Sequence, residues 1–385
     1  MELPGKIAGD ICFVNLRTIA GIMLAGYFII NMLDKILKAY NIDDKNSVIL
    51  YGSGLINRTW KVTDHSGEYI LQQVNQKVFT RPEIIAHNVQ LIADYLKKNY
   101  PEYLFVAPLK TTGKEEILYS ENVGFFRLFP FVKNSFTMDV AATPDHAFQA
   151  AYQFGLFTKI LSEFRAERLR TTIPDFHNLA FRYSQFEEAC RNANPVRSKT
   201  AKDSIDFIIA QNHIVKTFEE IRCNSNFRLR VTHHDTKISN VLFDAKGTGL
   251  CVIDLDTVMP GYFISDVGDM MRTYLPAFSE EEKDTGKIEV REEYFHAIVK
   301  GYLKEMAAEL SREEIDHFVY AGIFMTYMQA IRFLADYLNN DEYYGARYEG
   351  QNYVRARNQI TLLQKMLDKE IRLNEKVKEI AGKYQ

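Results

Sequence analysis

Hydrophobic and polar positions alternate with a period of two in the first third of the chain. Residues 58–62 and 69–74 alternate on either side of a turn at residues 64–67, a pattern that predicts a β-hairpin. Apolar positions at helical spacing predict a helix over residues 82–99. Further strands are predicted at residues 105–109, 116–119 and 124–129. Together these elements indicate a small antiparallel sheet with one helix.

From about residue 140 onward the apolar period becomes helical. Long helices are predicted at residues 147–157, 205–221, 294–309, 312–337 and 353–384. The exception is a hairpin, in which residues 241–243 and 249–253 are apolar and residues 244–247 form the turn. The pattern predicts an α+β protein in two lobes. A small, antiparallel, β-rich lobe spans residues 33–131, and a larger, mainly helical lobe that carries the hairpin spans residues 132–385.

The composition is that of an ordinary globular protein. The chain has 385 residues, of which 46% are hydrophobic and 25% charged, and its formal net charge is -3. This balance excludes the basic footprint of a nucleic-acid-binding protein, and we expect neither a nucleic-acid partner nor stable membrane association. The four cysteines lack the paired spacing of a zinc site or a disulfide framework, so we expect free thiols and a cytoplasmic protein.

Residues 1–32 stand apart from this pattern. Residues 19–30 are apolar, but this run is shorter than the roughly 20 residues that a membrane-spanning helix needs. No small-residue cleavage site of the kind found in signal peptides follows it. We therefore expect residues 1–32 to be an amino-terminal extension or a start-site artefact, with a short membrane anchor as the alternative.

Polar residues cluster at one end of the second predicted hairpin. Asp235 and Asn240 precede its first strand, and Asp254 and Asp256 follow its second strand. Phosphoryl transfer needs a carboxylate that accepts the proton of the attacking hydroxyl, and oxygen ligands that hold Mg²⁺. Turn formation by Asp and Asn is the alternative, but it does not explain carboxylates at the end of a buried strand. The spacing therefore predicts a small-molecule kinase.

A glycine-containing segment precedes the first hairpin and is the candidate nucleotide-binding loop. Its residues are Gly52, Ser53, Gly54 and Asn57. Glycine lets backbone N–H groups come close to phosphate oxygens. A tight bend is the more common meaning of two such glycines, so this segment supports nucleotide binding only together with the Asp–Asn–Asp motif.

The motif at residues 233–240 and 253–256 resembles that of the aminoglycoside phosphotransferase and choline kinase family. Within this family the chain is most similar to N-acetylhexosamine 1-kinases. The further matching segments are residues 51–57, 69–72, 253–260, 266–269 and 330–338. The resemblance extends from about residue 33 nearly to the carboxyl end. It implies a protein-kinase-like two-lobe fold, with a nucleotide-binding first lobe and a catalytic, sugar-binding second lobe.

The resemblance also implies an activity and its site residues. Such enzymes transfer the γ-phosphoryl group of ATP, with Mg²⁺, to the anomeric hydroxyl of N-acetylglucosamine or N-acetylgalactosamine. Asp235 then resembles the base, and Asn240 and Asp254 resemble the metal ligands. Asp256 is a second metal ligand or a substrate contact. Lys237 is a candidate cation for the γ-phosphate, or a solvated lysine beside a turn.

Arg332 and Tyr343 match family positions that hold the sugar. A guanidinium suits sugar and acetamido oxygens, and a tyrosine can stack or hydrogen-bond at the ring edge. The alternative for Arg332 is an ion pair with Asp336, one helical turn away. Gln72 stands where many kinase-type enzymes have a phosphate-binding lysine, and hexosamine kinases share this glutamine.

Two other functions remain open at this point. A kinase of the same fold could act on another alcohol, such as an aminoglycoside, choline, ethanolamine or homoserine. An aminoglycoside pocket should be acidic, and a choline pocket should offer an aromatic cage. A nucleotide-binding protein without turnover is the third hypothesis, but it would have no need of Asp235. His177, in a predicted loop, is expected to be structural.

Overall fold

A computed structural model describes residues 32–42, 45–52 and 56–384. The predicted extension, residues 1–32, lies outside these residues except for its last position. The described chain divides into two compact units. The smaller unit contains the residues up to Val78 together with Pro108–Phe131, and the larger unit contains Phe79–Ala107 and the residues from Val132 onward. Residues 79–107 belong to the larger unit, although the sequence-based boundaries assign them to the first lobe.

The smaller unit is a five-stranded antiparallel sheet in the order β1-β2-β3-β5-β4, with a short helix, α1 (residues 32–38). The strands are β1 (Lys45–Leu50), β2 (Arg58–Asp64), β3 (Glu68–Gln73), β4 (Leu118–Ser120) and β5 (Gly124–Pro130). One face of the sheet buries Trp60, Leu71 and Leu128 against Ile36 and Leu37 of α1. The apolar residues of the alternating pattern are therefore the ones that are buried. The predicted antiparallel sheet is confirmed.

The strand predicted at residues 105–109 does not form. Only Leu109 joins the sheet, through a single bridge to Leu128 in which the Leu109 N–H donates to the Leu128 carbonyl at 2.7 Å. Pro108 has no N–H to contribute to a ladder, which explains why the apolar run does not continue the sheet.

The larger unit is mainly helical. Its helices are α2 (Pro82–Asn99), α3 (Pro144–Ile160), α4 (Leu179–Asn192), α5 (Pro195–Thr200), α6 (Lys202–Ala210), α7 (His213–Cys223), α8 (Phe263–Tyr274), α9 (Glu292–Met306), α10 (Arg312–Asp316), α11 (Phe318–Leu338) and α12 (Gln351–Ala381). Its strands are β6 (Ser135–Phe136), β7 (Arg230–Thr232), β8 (Val241–Asp244), β9 (Gly249–Val252) and β10 (Met259–Gly261). The predicted hairpin is β8–β9, and β7 pairs with β10 beside it. The α+β class and the hairpin in the helical part are confirmed.

Helix α11 is the central helix of this unit and packs against α12, α8 and α4. Helix α8 comes close to it at Gly268, where a side chain would overlap the Ala321 carbonyl of α11. Among the described helices, α11 alone is long and apolar enough to cross a membrane, but 83% of its apolar window is buried inside the protein. Its hydrophobicity is therefore that of a core helix.

Two of the predicted long helices are each divided in two. Residues 205–221 break between α6 and α7, and residues 312–337 break at His317 between α10 and α11. Helix α10 begins with a capping box in which Ser311 and Glu314 satisfy each other's backbone N–H groups. The Glu314 carboxylate also forms a buried ion pair with Arg230 of β7. This ion pair attaches α10 to β7, and α10 ends before α11 begins.

Asn88 joins α2 to the segments around the β8–β9 hairpin and is fully buried. Its side chain donates to the carbonyls of Arg170 (2.7 Å) and Val258 (3.0 Å) and accepts from the Arg170 N–H at 2.9 Å. The Asn88 amide thus satisfies three backbone groups that have no partner in a helix or strand at this point.

We expect Asn88→Ala to lower the free energy of unfolding by about 3 kcal/mol, because it leaves buried backbone groups without partners. Chemical denaturation monitored by circular dichroism measures this change. Asn99→Ala, at the exposed end of the same helix, is the matched control and should cost less than about 0.5 kcal/mol. Equal effects of the two substitutions would contradict the structural role of Asn88.

Candidate active site

The loop at residues 233–237 is held by two carboxylates of α8. Asp266 accepts the backbone N–H groups of His233 (3.0 Å) and His234 (2.7 Å), and Asp269 accepts that of Thr236 (2.9 Å). The Thr236 hydroxyl donates in turn to the Asp266 carbonyl at 2.7 Å. The sequence order α8 after β10 brings these acidic residues behind the loop, so the loop's buried N–H groups are satisfied without a sheet or helix of its own.

The two histidines of the loop are buried and fix its path. The His233 ring lies edge-on to Phe154, with ring centroids 5.1 Å apart, and its Nε2 donates to the Ile253 carbonyl at 2.9 Å. His234 has a left-handed backbone, with φ of 65°. A Cβ on Gly261 would lie 2.5 Å from the His234 Nε2, so glycine at 261 makes room for this ring. These contacts of the two rings fix the path of the backbone between β7 and Asp235.

Asp235, Lys237 and Asn240 contact one another. The Asn240 amide nitrogen donates to the carbonyl (2.9 Å) and to the carboxylate (3.1 Å) of Asp235. The Lys237 Nζ lies 3.0 Å from the other carboxylate oxygen. Burial acts to raise the pKa of Asp235, but the charge of Lys237 and these hydrogen bonds outweigh it and lower the pKa. Asp235 is therefore an anion at neutral pH, as a proton acceptor must be.

Asp254 adjoins these residues through the backbone. The Ile253 N–H donates to the Asn240 carbonyl at 2.9 Å, which sets Asp254 beside the end of the loop. Asp254 is exposed and has a left-handed backbone, with φ of 60°. Asp256, two residues on, is only 2% exposed. The structure thus separates two carboxylates that look equivalent in the sequence.

The donor set suits Mg²⁺. The described residues contain no cluster of three or more His, Cys, Asp or Glu side chains of the kind that encloses a metal alone. Mg²⁺ is usually held by one or two carboxylates together with substrate phosphates, so a closed cluster is not required. The Asn240 amide nitrogen is turned toward Asp235, which leaves its oxygen as an acceptor on the side away from Asp235.

A chain of ion pairs continues behind the loop. Arg272 bonds Asp269 through two nitrogens (2.9 and 3.1 Å) and reaches Glu280 at 3.1 Å, and Arg355 also pairs with Glu280. Burial would raise the pKa of Glu280, but Arg272 and Arg355 lower it. No cation among the described residues pairs with Asp266, and burial raises its pKa to about 7. Asp269 and Arg272 therefore brace the loop from behind, and neither caps its own helix.

Arg332 and Tyr343 lie on the wall of one cavity of about 520 Å³ in the larger unit. The Arg332 guanidinium is 6.0 Å from the Tyr343 ring centre and 5.5 Å from that of Tyr344. The alternative ion pair with Asp336 is not formed among the described residues, because Asp336 accepts the N–H groups of Tyr343 (2.7 Å) and Tyr344 (3.0 Å). Arg332 donates one hydrogen bond to the Gln329 side chain at 3.2 Å and lines the cavity with the rest of its guanidinium, and Asp336 holds the loop that presents Tyr343.

The candidate nucleotide-binding residues belong to the smaller unit. Gly52 has a φ of 79°, which glycine adopts freely, whereas Ser53 and Gly54 lie outside the described residues. The Asn57 side chain accepts the Asn75 N–H at 3.0 Å. The Gln72 oxygen accepts two bonds from Arg127 on β5, at 2.8 and 3.1 Å. The described part of the sheet therefore places a cation beside the glutamine that stands in the usual lysine position.

Sequence reasoning missed Arg127. Arg127 interrupts the apolar run of β5 and is 4% exposed, and a charged residue in such a run was the available signal.

Residues 47–308 match the model of the phosphotransferase enzyme family, APH. This match covers more than half of the chain, and the chain belongs to that family. The prediction of a small-molecule phosphotransferase is thereby confirmed at the level of its class.

Solved structures of low sequence identity share the fold. An aminoglycoside phosphotransferase from Alicyclobacillus acidocaldarius has 13% identity and a TM-score of 0.61, with 89% of this chain and 95% of the other covered. A microcompartment-associated aminopropanol kinase has 15% identity and a TM-score of 0.59, with 90% and 98% covered. A spectinomycin phosphotransferase in complex with ADP and spectinomycin has 17% identity and a TM-score of 0.50, with 91% and 97% covered. The predicted protein-kinase-like fold is confirmed.

The buried histidines predict how stability depends on pH. Burial lowers the pKa of His234 to about 4, and it also lowers that of His233. The unfolded chain binds protons at these residues below pH 6.5 while the folded chain does not, so stability is fully present above that pH and is lost on acidification.

For His234 alone, the free energy of unfolding should fall by about 2 kcal/mol between pH 7 and pH 5. Urea denaturation at the two pH values measures it. His234→Asn keeps a residue that tolerates the left-handed backbone and should flatten the dependence by that amount. The exposed His213→Asn is the control, and an unaltered slope in His234→Asn would contradict the assignment.

Proposed function

We propose that the protein transfers the γ-phosphoryl group of ATP to the anomeric hydroxyl of N-acetylglucosamine or N-acetylgalactosamine, yielding the sugar 1-phosphate. The observation that carries the proposal is the contact of Asp235 with Asn240, with Asp254 adjoining, in a chain of the phosphotransferase family. The nucleotide is supported by the solved relative that is bound to ADP.

Asp235 is the proton acceptor in this proposal. The hydroxyl proton of the sugar passes to the Asp235 carboxylate, the hydroxyl oxygen forms a bond to the γ-phosphorus, and the bond to the leaving ADP oxygen breaks. Asn240 orients the carboxylate, and Lys237 keeps it ionised until the hydroxyl arrives. Lys237 is half exposed, so its ammonium can also turn toward the γ-phosphate.

Asn240 and Asp254 would hold Mg²⁺. When bound, the ion supplies positive charge against the phosphate oxygens. Asp256 is buried, which favours an indirect role over direct contact with the ion or the sugar. Gly52, Ser53, Gly54, Asn57 and Gln72 are the proposed nucleotide-binding residues. Because Gln72 is neutral, the positive charge at its position belongs to Arg127.

Arg332 and Tyr343 are the proposed sugar-binding residues. Their cavity is lined mainly by polar side chains and is large enough for a monosaccharide. The Tyr343 side chain is 72% exposed, while its backbone is held by Asp336, so the ring is presented on a fixed loop. We also place the enzyme in the cytoplasm, which suits the free thiols Cys190, Cys223 and Cys251 of the described chain.

Phosphorus NMR of the product formed from N-acetylglucosamine and ATP tests the proposal. We expect the signal of a glycosyl phosphate, because the anomeric hydroxyl is the proposed nucleophile. Asp235→Asn, which retains the shape of the side chain, should lower turnover by at least about 100-fold while ADP still binds. A phosphate on another hydroxyl, or no turnover of any N-acetylhexosamine, would contradict the proposal.

A further inference from the structure

A second arginine lines the same cavity as Arg332. Arg182, on α4, and Arg332, on α11, both line the 520 Å³ space together with Tyr343 and Tyr344. Neither guanidinium forms an ion pair within the described part of the chain. Two unpaired cations on one cavity wall repel each other, an arrangement that costs stability unless a ligand offsets it. This is the pattern of a binding site for an electron-rich group.

The Arg182 side chain is only partly used by the protein. Its Nη1 donates to Gln185 at 3.0 Å, but its Nε is buried and has no hydrogen-bond partner among the described residues. Burial, followed by the charge of Arg332, lowers the pKa of Arg182. A buried N–H donor without an acceptor is costly, and a ligand oxygen would remove that cost.

The cavity is connected to the loop that carries Asp235. The Arg332 guanidinium lies 6.0 Å from the Phe176 ring, Phe176 stacks on His177 at 4.4 Å, and the His177 ring is 5.2 Å from that of His234. His177 is neutral, because burial, together with His234 and the surrounding arginines, depresses its pKa. His177 therefore adds no positive charge of its own between the cavity and the loop.

The geometry points to Arg182 as a further acceptor-binding residue: Arg182 and Arg332 together take an oxygen-bearing substituent of the acceptor, a carbonyl or a carboxylate, and repel an ammonium group at that place. This inference rests on the proposed function, since it concerns the acceptor of the same reaction. The acetamido oxygen of an N-acetylhexosamine meets the requirement, whereas the ammonium of a hexosamine, of choline or of an aminoglycoside does not.

The acidic residues on the cavity wall do not reverse this preference. Asp336 is engaged by the N–H groups of Tyr343 and Tyr344 and by the Asn352 amide at 3.0 Å. Glu342 is exposed to solvent, where its charge is screened. Among the charged side chains that line the cavity, this leaves the two guanidinium groups to meet a ligand, with the Arg182 Nε as a buried donor.

The test compares two acceptors that differ only at C2: N-acetylglucosamine carries an acetamido carbonyl there, and glucosamine carries an ammonium. In Arg182→Met we expect KM for N-acetylglucosamine to rise about 10- to 100-fold, with kcat nearly unchanged, because a ligand contact is lost. The preference for N-acetylglucosamine over glucosamine should narrow by a similar factor.

Two further variants control this experiment. Arg182→Lys keeps the charge but not the planar fork, so it should lie between the wild type and Arg182→Met, and it serves if Arg182→Met does not fold. Arg191→Met, at an exposed position of the same helix, should change neither KM nor the preference. Unchanged KM and preference in folded Arg182→Met would overturn the inference.

The proposed function and this inference can fail separately. If the enzyme phosphorylates other neutral or anionic alcohols but no hexosamine, the proposed sugar is wrong, and a raised KM for those alcohols in Arg182→Met still supports the inference. If cationic alcohols such as choline or ethanolamine are the preferred acceptors, the inference is overturned. If no alcohol is phosphorylated, both fall.

Discussion

The site depends on two carboxylates of α8 that accept the backbone N–H groups of the loop at residues 233–237. Asp266 holds His233 and His234, and Asp269 holds Thr236. These N–H groups are buried and have no strand or helix to receive them, so losing the acceptors would leave the loop without a defined path. The position of Asp235 follows from this, because it lies between the residues so held.

Holding the loop in this way concentrates negative charge in the interior. Asp269 is balanced by Arg272, and the pairs continue through Glu280 to Arg355 of α12. Within the described part of the chain Asp266 is met by backbone N–H donors without a cation, and its pKa is raised to about 7. The ion pairs that extend to α12 therefore help to support the site. A peptide with the loop sequence alone would lack this support.

Two left-handed residues mark where the chain is forced into its functional path. His234 and Asp254 have φ values of 65° and 60°, in a region that costs a non-glycine residue about 1 kcal/mol or more. His234 directly precedes Asp235, and Asp254 follows the β8–β9 hairpin. Beside Asp254, the Ile253 N–H bonds the Asn240 carbonyl at the end of the loop. The surrounding contacts, Gly261 among them, offset this strain.

The sequence predicts the local parts of this arrangement well and the long-range parts poorly. Alternation and helical spacing predict the β2–β3 and β8–β9 hairpins, and the Asp235–Asn240–Asp254 spacing leads to the phosphotransferase class. The breaks at residues 211–212 and 317 were missed because apolar spacing continues across them, and the break at 317 depends on the distant partner of Glu314. Arg182 was missed for a similar reason, since only the packing of α4 against α11 brings it to the same cavity as Arg332.

Native-state hydrogen exchange of residues 230–240 in wild type and in Asp266→Ala tests the central claim most directly. If Asp266 holds the loop, the amides of His233 and His234 should exchange at least about tenfold faster in the variant, while those of α12 stay protected. Asp206→Ala, at an exposed position on α6, controls for the loss of a carboxylate. Undiminished protection of the two loop amides in Asp266→Ala would contradict the claim that this carboxylate organises the site.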